Sequence, residues 1–366
     1  MVGRVPLRVV ALLVVPLLAG CSVGDVRRRP PDRSAPSSAP SAPAPSPTAA
    51  AVEVREVRVA VGRRYDPPFV DFVTADRGYA LFAACDHRPP GRDCPAQLYS
   101  TVDGGRSWRH LRHPHPVADN HQLYTAGNLL LVLAGDGDWY TSTNGGGTFA
   151  HTRGEQAPAS WRAAQGRFQI DESDGRVVRW AGQRAEPLPA QPPLPGLNTV
   201  GEAGGLLVAA GVQDGRPRAA ISLDGGRTWS DTPVPGSATD LHVLFVRSSP
   251  DGEAWLVGDR PDRGGFPSVW RFQGEWVPVR ADGHPEEITS VAPIGGGLLA
   301  VNGPAGCGVV AEGRYHALGW PPGRDHYLMV LPDGTLAARG PADVLLATGR
   351  YADRRWVRVL LEAADK

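Results

Sequence analysis

The segment TVDGGRSW at residues 101–108 decides the fold of this chain, because it returns almost unchanged as SLDGGRTW at residues 222–229. A weaker third copy, STNGGGTF, stands at residues 142–149. An Asp side chain accepts backbone N–H bonds across a tight turn, and glycine supplies the positive φ that such a turn needs. A Ser or Thr hydroxyl closes the turn. Copies that lie between alternating apolar segments predict a repeated hairpin.

The copies resemble the Asp boxes, or bacterial neuraminidase repeats, of sialidase-like β-propellers. The positions that carry this resemblance are Thr101, Asp103, Gly105, Trp108, Ser142, Asn144, Gly146, Phe149, Ser222, Asp224, Gly226 and Trp229. In such families the motif joins the third and fourth strands of a blade, on the face opposite the binding site. The resemblance therefore implies that these residues form structural turns and are not catalysts.

Degenerate versions of the turn extend the repeat along the chain. They stand at residues 181–184, 273–276, 312–315 and 353–356, which gives a period of about 40 residues, typical of a propeller blade. We count about seven units between Asp66 and Leu361, the least regular being Ser160–Leu188, and the count leaves six or eight blades open. No segment after the N-terminal apolar run keeps a period near 3.6 residues. The sequence predicts an all-β fold, a single β-propeller of about seven blades with about four antiparallel strands each.

An alternating segment at residues 52–61 precedes the first unit. Its pattern predicts a β-strand that pairs with the last blade and closes the ring. Closure would remove the open sheet edges on which other chains could pair.

The N-terminus resembles a bacterial lipoprotein signal. Arg4 and Arg8 are followed by an apolar run over residues 9–18 and then by LAGC at residues 18–21. The apolar run is too short for a transmembrane helix, which needs roughly 20 residues. The resemblance implies a signal peptide at residues 1–20, lipidation of Cys21, and attachment to the cell membrane facing outside the cytoplasm. The alternative is an ordinary secretory signal that ends on a chance cysteine.

Residues 22–51 consist mainly of Pro, Ala, Ser, Thr and Arg. Without large apolar side chains, nothing offsets the entropy of ordering this backbone, so we predict a disordered stalk. The chain then divides into the signal peptide, a lipidated stalk at residues 21–51 and a propeller at residues 52–366. The stalk is interpreted as a spacer, and the alternative is that the arginines at residues 27–29 contact anionic headgroups.

The charge balance argues against a nucleic-acid partner. The chain has 38 Lys and Arg residues and 38 Asp and Glu residues, so its formal net charge is zero. No global field attracts it to a polyanion.

Three cysteines remain after Cys21. Cys85 and Cys94 bracket a turn-rich loop, and outside the cytoplasm we expect them to form a disulfide. Cys307 then has no partner. No His or Asp stands beside it in sequence, so we interpret it as a small core residue rather than a nucleophile.

If the repeated turns mark one face, the candidate binding loops lie on the other. These loops are Asp86–Asp93, His110–His121, Glu186–Gly196, Gln213–Arg218 and Asp259–Phe266. Four residues are our candidates for the rim of a binding site: Arg88, His121, Tyr124 and Phe266. Loops of variable length on a rigid scaffold are the usual place for function.

The histidines of one loop invite a metal interpretation. His110, His113, His115 and His121 match no closed zinc pattern, and His87 could join them only from a neighbouring loop. We expect the prolines between them to hold the imidazoles apart. The prediction is therefore solvated loop histidines, with no metal and no cofactor.

Two functions follow from the resemblance. A sialidase-type glycoside hydrolase needs an arginine cluster and a pair of catalytic side chains, one carboxylate acting as acid and base. This chain lacks the expected Arg-Ile-Pro segment near residues 52–72, and the loop arginines Arg216, Arg218, Arg260 and Arg263 are expected by chance in an arginine-rich chain. The favoured function is a membrane-anchored binding or scaffolding module for a protein, peptide or cell-envelope glycan, since fold alone transfers no ligand.

Overall fold

The computed structural model describes residues 50–62, 64–119, 121–127, 129–133, 137–236, 241–259 and 265–364. These residues form seven β-sheets that follow one another along the chain as the blades of a β-propeller. The all-β class and the count of seven blades are confirmed. Cys21, the predicted signal peptide and all but the last two stalk residues lie outside the described residues.

The strands follow the sequence in order, and the first of them, β1 (Val52–Ala60), precedes the blades. The first four blades contain β2 (Phe69–Phe72), β3 (Gly78–Phe82), β4 (Gln97–Thr101) and β5 (Arg109–Leu111); β6 (Gln122–Ala126), β7 (Leu129–Leu133), β8 (Asp138–Ser142) and β9 (Ala150–Arg153); β10 (Phe168–Ile170), β11 (Val177–Ala181) and β12 (Arg184–Pro187); and β13 (Leu197–Ala203), β14 (Leu206–Gln213), β15 (Arg216–Ser222) and β16 (Ser230–Thr232). The last three contain β17 (Val243–Ser248), β18 (Ala254–Asp259), β19 (Ser268–Phe272) and β20 (Trp276–Pro278); β21 (Ser290–Gly295), β22 (Leu298–Gly303), β23 (Gly306–Ala311) and β24 (Arg314–Leu318); and β25 (Tyr327–Val330), β26 (Leu336–Arg339), β27 (Asp343–Arg350) and β28 (Asp353–Ala364).

Within each blade, consecutive strands pair antiparallel. Connections that follow the first and third strands of a four-stranded blade therefore lie on one side, which we call the turn face. Connections that follow the second and fourth strands lie on the other side, the loop face. The three motif copies join β4 to β5, β8 to β9 and β15 to β16, so all of them stand on the turn face.

The third blade is the irregular one. It has three strands in place of four, and a short helix, α1 (Ala159–Ala164), precedes them. This unit is the one predicted to be the least regular, but its helix was not predicted. At six residues, α1 is too short to show the period of 3.6 over several turns that identifies a helix in sequence.

Strand β1 adds a fifth strand to the seventh blade. It pairs parallel to β28 from Val52 opposite Trp356 to Ala60 opposite Ala364. Blades seven and one also pack against each other, since Phe72 of blade one lies in one cluster with Val344, Leu346 and Val359 of blade seven. The first strand and the last blade thus meet at the closure of the ring, as the alternation at residues 52–61 predicted.

The apolar core lies between neighbouring blades. Between blades four and five, for example, Ala210 and Ala219 pack with Leu244, Leu256 and Trp276. Burial of each large apolar side chain contributes roughly 1.5–3 kcal/mol. Successive side chains of a strand point to opposite faces of its blade, and neighbouring blades cover both faces. Apolar residues are therefore found on both faces, and the strands appear in the sequence as short apolar runs.

The first strands of adjacent blades are also joined by polar contacts. The hydrogen bonds run from Thr125 Oγ1 to Asp71 Oδ2 (2.7 Å), from Val246 N to Thr199 Oγ1 (3.4 Å) and from Leu328 N to Ser290 Oγ (2.9 Å). These strands would otherwise leave backbone groups unpaired at the inner edges of the sheets. Side chains of one blade thus satisfy the inner edge of the next.

Candidate functional site

The carboxylates of the motif turns are committed to the turns themselves. Asp103 Oδ1 accepts bonds from Ser107 N at 3.0 Å and Thr101 Oγ1 at 2.8 Å, while Asp103 Oδ2 accepts from Ser107 Oγ at 2.5 Å. Burial acts to raise the pKa of Asp103, but these hydrogen bonds outweigh it and lower the pKa to about 2. Asp224 is held in the same way by Ser222 and Thr228. Both oxygens of each carboxylate therefore take part in the hydrogen bonds that shape the turn.

The second glycine of each turn faces a residue in, or directly after, the last strand of the preceding blade. A β-carbon on Gly105 would stand 2.5 Å from Val359 Cγ1, and one on Gly226 would stand 2.4 Å from Leu188 Cδ1. The corresponding distance from Gly146 to Leu111 Cδ1 is 2.5 Å. All three glycines also have positive φ. The motif therefore fixes the contact between blades as well as the turn.

The loop face carries the disulfide that the sequence predicted. Cys85 and Cys94 are bonded across the loop between β3 and β4, with their Cα atoms 6.1 Å apart. Tyr65 donates a hydrogen bond of 2.7 Å to the carbonyl oxygen of Pro95 at the base of this loop. The side chain of Arg88 is exposed at its tip. The disulfide therefore holds a surface loop of the first blade in one conformation.

The histidines of the next connection correct our expectation. His113 and His121 are only 8% and 5% exposed, so they are not solvated loop residues. Their rings stack with centroids 4.7 Å apart. For these two residues the prediction was wrong, because the stacked pair comes from the two ends of the connection and the intervening prolines do not separate them; His87 and His110 are exposed, as predicted. Among the described residues, no group of three or more His, Cys, Asp or Glu side chains is arranged to hold a metal ion.

The largest cavity that we describe runs along the first strands of blades five, six and seven. Its volume is about 720 Å³. The side chains that determine its chemistry are Phe245, Arg247, Asp259, Ser290, Tyr327 and Met329. Tyr327 and Met329 are 59% and 40% exposed, which is unusual for apolar side chains on an inner strand. Cavities of this size and mainly apolar lining are typical of ligand sites.

Arg247 is the cationic group of this cavity. Its guanidinium carbon lies 4.8 Å from the centre of the Phe245 ring, and its Nη1 donates to the carbonyl oxygen of Val246 at 3.2 Å. No carboxylate among the described residues lies within ion-pair distance of it. Burial lowers the pKa of the Arg247 guanidinium, but the group stays charged at any physiological pH. Among the described residues, the charge of Arg247 is therefore not paired directly with a carboxylate, although the lining also contains Asp259.

The four predicted rim residues are divided between two regions of the ring. Arg88, His121 and Tyr124 belong to blade one, the connection after it and β6, whereas Phe266 belongs to blade five. Tyr124 is 38% exposed and its ring lies 5.8 Å from Trp161. Phe266 is half-buried beside the cavity residues Gly265 and Pro267. His121, being buried, cannot act as an exposed anchor.

The arginines considered for a sialidase site do not line the cavity where they are described. Arg218 pairs with Asp231 of β16 at 3.1 Å, on the outer part of blade four, and Arg216 is exposed nearby. Arg260 and Arg263 lie outside the described residues. The described lining of the cavity contains a single carboxylate, Asp259. A sialidase-type mechanism requires more acidic and basic groups than this lining provides.

The contact that most resembles catalytic machinery is structural. Asp343 is 5% exposed and accepts hydrogen bonds from Arg358 Nε at 2.5 Å and His326 Nε2 at 3.1 Å. The other ring nitrogen of His326 accepts from Gly323 N at 3.2 Å. Burial acts to raise the pKa of Asp343, and the two side-chain partners lower it by more. Every atom that could take or give a proton is already paired, so this cluster stabilises blade seven.

Arg247 and its apolar neighbours are not among the residues predicted from the sequence. The available signal was the strand VLFVRS at residues 243–248, where an aromatic ring and an arginine follow each other at a spacing of two. Such spacing places both side chains on one side of a strand. Without the ring, nothing indicated that this strand is innermost or that Tyr327 and Met329 lie across from it.

Comparison with solved structures finds other β-propellers. A structure of YCF48 bound to a D1 peptide is 12% identical with a TM-score of 0.38, covering 79% of this chain and 92% of that one. YCF48 from Cyanidioschyzon merolae is 13% identical with a TM-score of 0.43, covering 76% and 92%. The GH74 xyloglucanase from Xanthomonas campestris is 16% identical with a TM-score of 0.29, covering 78% and 45%. These likenesses concern the fold alone.

No family model matches the chain, and no curated protein matches it in sequence. Among the described residues, no helix has the length and apolar character needed to span a membrane.

Proposed function

We propose that this chain is a lipid-anchored binding module outside the cytoplasm, and that its central cavity binds an apolar, anion-bearing segment of a protein or peptide partner. The observation that carries the proposal is Arg247. It stands in a cavity of about 720 Å³ that is otherwise mainly apolar, and it has no carboxylate partner among the described residues.

The Arg247 side chain is exposed, so water solvates its charge in the free protein, and no carboxylate among the described residues has to leave before it can pair with an anionic ligand. A guanidinium pairs with a carboxylate or phosphate through two parallel hydrogen bonds, which gives both affinity and orientation. Phe245, Tyr327 and Met329 offer apolar and polarisable contacts for the rest of the ligand. A peptide with an apolar side chain and a carboxylate matches both features better than an uncharged glycan does.

Two parts of the proposal rest on the sequence. The lipobox-like segment ending at Cys21 supports attachment to the membrane, and the Cys85–Cys94 disulfide agrees with an oxidising compartment. The attachment is tested by expressing the full chain and a Cys21→Ser variant, each with a metabolic lipid label. We expect labelled wild-type protein in the membrane fraction and unlabelled variant protein outside it. Equal labelling or equal partitioning of both would contradict the anchor.

The binding site is tested by photo-crosslinking. A benzophenone side chain placed at Met329 should form adducts with peptides from a cell-envelope extract, while the same group at Val102 on the turn face should not. Peptides identified in this way are then synthesised and titrated against the wild type and Arg247→Gln. We expect a loss of affinity of roughly tenfold or more, since a charge-assisted pair is worth about 1.5–3 kcal/mol. Arg184→Gln, an exposed arginine on β12, is the matched control.

Other outcomes would replace the proposal. Adducts with envelope glycans alone would assign the cavity to a carbohydrate. Turnover of a fluorogenic sialoside that survives purification and disappears in Asp259→Asn would favour the hydrolase. Equal affinity of wild type and Arg247→Gln for every captured peptide would remove Arg247 from the site.

A further inference from the structure

The connection between blades one and two contains a buried histidine pair that has no role in the cavity. Residues 112–119 and His121 belong to the connection between β5 and β6, which lies on the loop face. His113 and His121 stack within this connection with an interplanar angle of 13°. At 8% and 5% exposed, both rings are more than nine-tenths buried. Two imidazoles are thus removed from water at one point of the loop face.

Most of the ring nitrogens in this cluster lack hydrogen-bond partners. His113 Nδ1 accepts from His115 N at 3.0 Å. Within the part of the chain that the structure describes, no group is hydrogen-bonded to the buried atoms His113 Nε2, His115 Nδ1, His121 Nδ1 and His121 Nε2. Buried polar groups usually have hydrogen-bond partners, and burying a charge without a partner costs much more than burying a neutral group. This stacked arrangement is therefore stable only while both rings are neutral.

The connection contacts two other parts of the loop face. Ala96, at the end of the disulfide loop, donates a hydrogen bond of 2.7 Å to the carbonyl oxygen of Pro116. The ring of His115 lies 5.8 Å from the ring of Tyr140 in blade two. The histidine pair therefore holds a segment that bridges the disulfide loop and the second blade.

From this geometry we propose that residues 112–121 form an acid-released latch: protonation of His113 and His121 breaks the stack and frees the connection from the disulfide loop and blade two. Two positive charges cannot share a buried stack at 4.7 Å, because each repels the other and each loses its hydration. Release exposes both rings to water and changes the shape of the loop face, while the blades keep their own cores.

The pKa values of the two imidazoles agree with this geometry. Burial, with the neighbouring His121 and His115, lowers the pKa of His113 from 6.5 to about 3. Burial and His115 lower the pKa of His121 from 6.5 to about 4. The released connection therefore binds more protons than the closed one between pH 6.5 and these values, so the closed state is favoured above pH 6.5 and loses stability as the pH falls.

The surrounding charges do not reverse this direction. Asp119 raises the pKa of His121, but by less than burial and His115 lower it. On the far side of the cluster, Tyr140 stacks on His151, which pairs with Asp138 at 2.8 Å. That outer pair is exposed and keeps its own hydrogen bond. Among the described residues, no carboxylate is hydrogen-bonded or ion-paired to either buried ring, and Asp119 acts on His121 only through its charge.

The latch is tested by amide hydrogen exchange on the full chain at pH 7.5 and 4.5, with rates referred to unfolded peptides at each pH. We expect protection of peptides covering residues 112–126 to fall at least tenfold at pH 4.5, because each released histidine favours opening by about a hundredfold at that pH. Peptides from blades four to six should change by much less. Protection of residues 112–126 that is independent of pH would overturn the proposal.

The double substitution His113→Phe and His121→Phe keeps two stacked rings and removes the titration. We expect it to abolish the acid-induced loss of protection, and the exposed His316→Phe to leave that loss unchanged. If the double variant does not fold, the C2 proton resonances of the wild-type imidazoles decide the matter. If both rings stay neutral until the connection opens, the latch is supported. If the rings titrate near pH 6.5 while the amides of the connection remain protected from exchange, the latch is refuted.

Discussion

Arg55 Nη1 donates a hydrogen bond of 2.8 Å to the carbonyl oxygen of Gly104, and this contact joins the first strand of the chain to a turn of the first blade. The same strand pairs parallel with β28 of the seventh blade over its whole length. One segment therefore contacts both blades that meet at the closure: β1 covers the edge of β28 and is itself the outer strand of the five-stranded sheet.

Arg55→Ala should weaken the closure. Its side chain is 12% exposed, and a charged donor lost from a part-buried hydrogen bond costs about 1.5–3 kcal/mol. Urea unfolding of the two proteins measures the difference. Arg58→Ala, whose side chain is 64% exposed on the same strand, should change stability by less than about 0.5 kcal/mol. Equal effects of the two substitutions would mean that the Gly104 contact is not important for closure.

Gly226→Ala should destabilise the contact between blades three and four. The added β-carbon would stand 2.4 Å from Leu188 Cδ1, and φ is +88°. Gly225 has a φ of +70° but open space around its β-position, so Gly225→Ala reports backbone strain alone. We expect the first substitution to cost about 1–3 kcal/mol more than the second, which is the usual cost of overpacking. Thermal unfolding at matched protein concentrations measures the stabilities of the two variants. Equal stabilities would contradict the predicted clash with Leu188.

The contribution of Asp103 to the free energy of unfolding should depend on pH. Because hydrogen bonds lower its pKa from 3.8 to about 2, the folded state binds its proton less readily than the unfolded state. Its contribution is then present above pH 4 and declines as the pH falls towards 2. Unfolding curves of the wild type and Asp103→Asn should differ most near neutral pH and converge near pH 2. A difference that is constant with pH would argue against an ionised turn carboxylate.

Removal of the disulfide should affect the loop face more than the blades. Cys85 and Cys94 are nine residues apart, and closing so short a loop stabilises the folded state by at most about 3 kcal/mol. In Cys85→Ala with Cys94→Ala, we expect faster proteolysis between residues 85 and 96 and little change in far-ultraviolet circular dichroism. Loss of the sheet signal would instead place the disulfide among the requirements for folding.

Cys307 should resist alkylation in the native protein. Its thiol is 2% exposed, and burial raises its pKa to about 12, so very little reactive thiolate forms. Iodoacetamide at pH 8, with mass spectrometry to locate the adduct, should label Cys307 at least about a hundredfold more slowly than in urea-unfolded protein. Equal rates would show that blade six opens readily around β23.

The repeat made the fold accessible from the sequence. Asp103 and Asp224 bond within their own turns, so eight residues suffice to specify each turn and its environment matters little. Repetition at about 40 residues then leads to a ring of similar blades. The cysteine pair of the first blade was accessible for the same reason, since the loop that closes it is short and local.

The histidines and the cavity could not be obtained in this way. His113 and His121 stand eight residues apart and meet only because the connection folds back on itself between two blades. Residues Phe245, Arg247, Tyr327 and Met329 come from blades five and seven, and their common surroundings exist only once the ring is closed. Nothing in the sequence of one blade states which side chains of another blade will face it.

The sequence by itself determined the repeated turns, the all-β blades, the closing strand and the disulfide, because each depends on interactions between residues near in the chain or on a regular period. Only the tertiary structure decided that no carboxylate of the described residues pairs with Arg247 and that two histidines are buried together. The burial of a side chain and the pairing of its charge depend on contacts with residues that are far away in the sequence, and a local sequence pattern does not show those contacts.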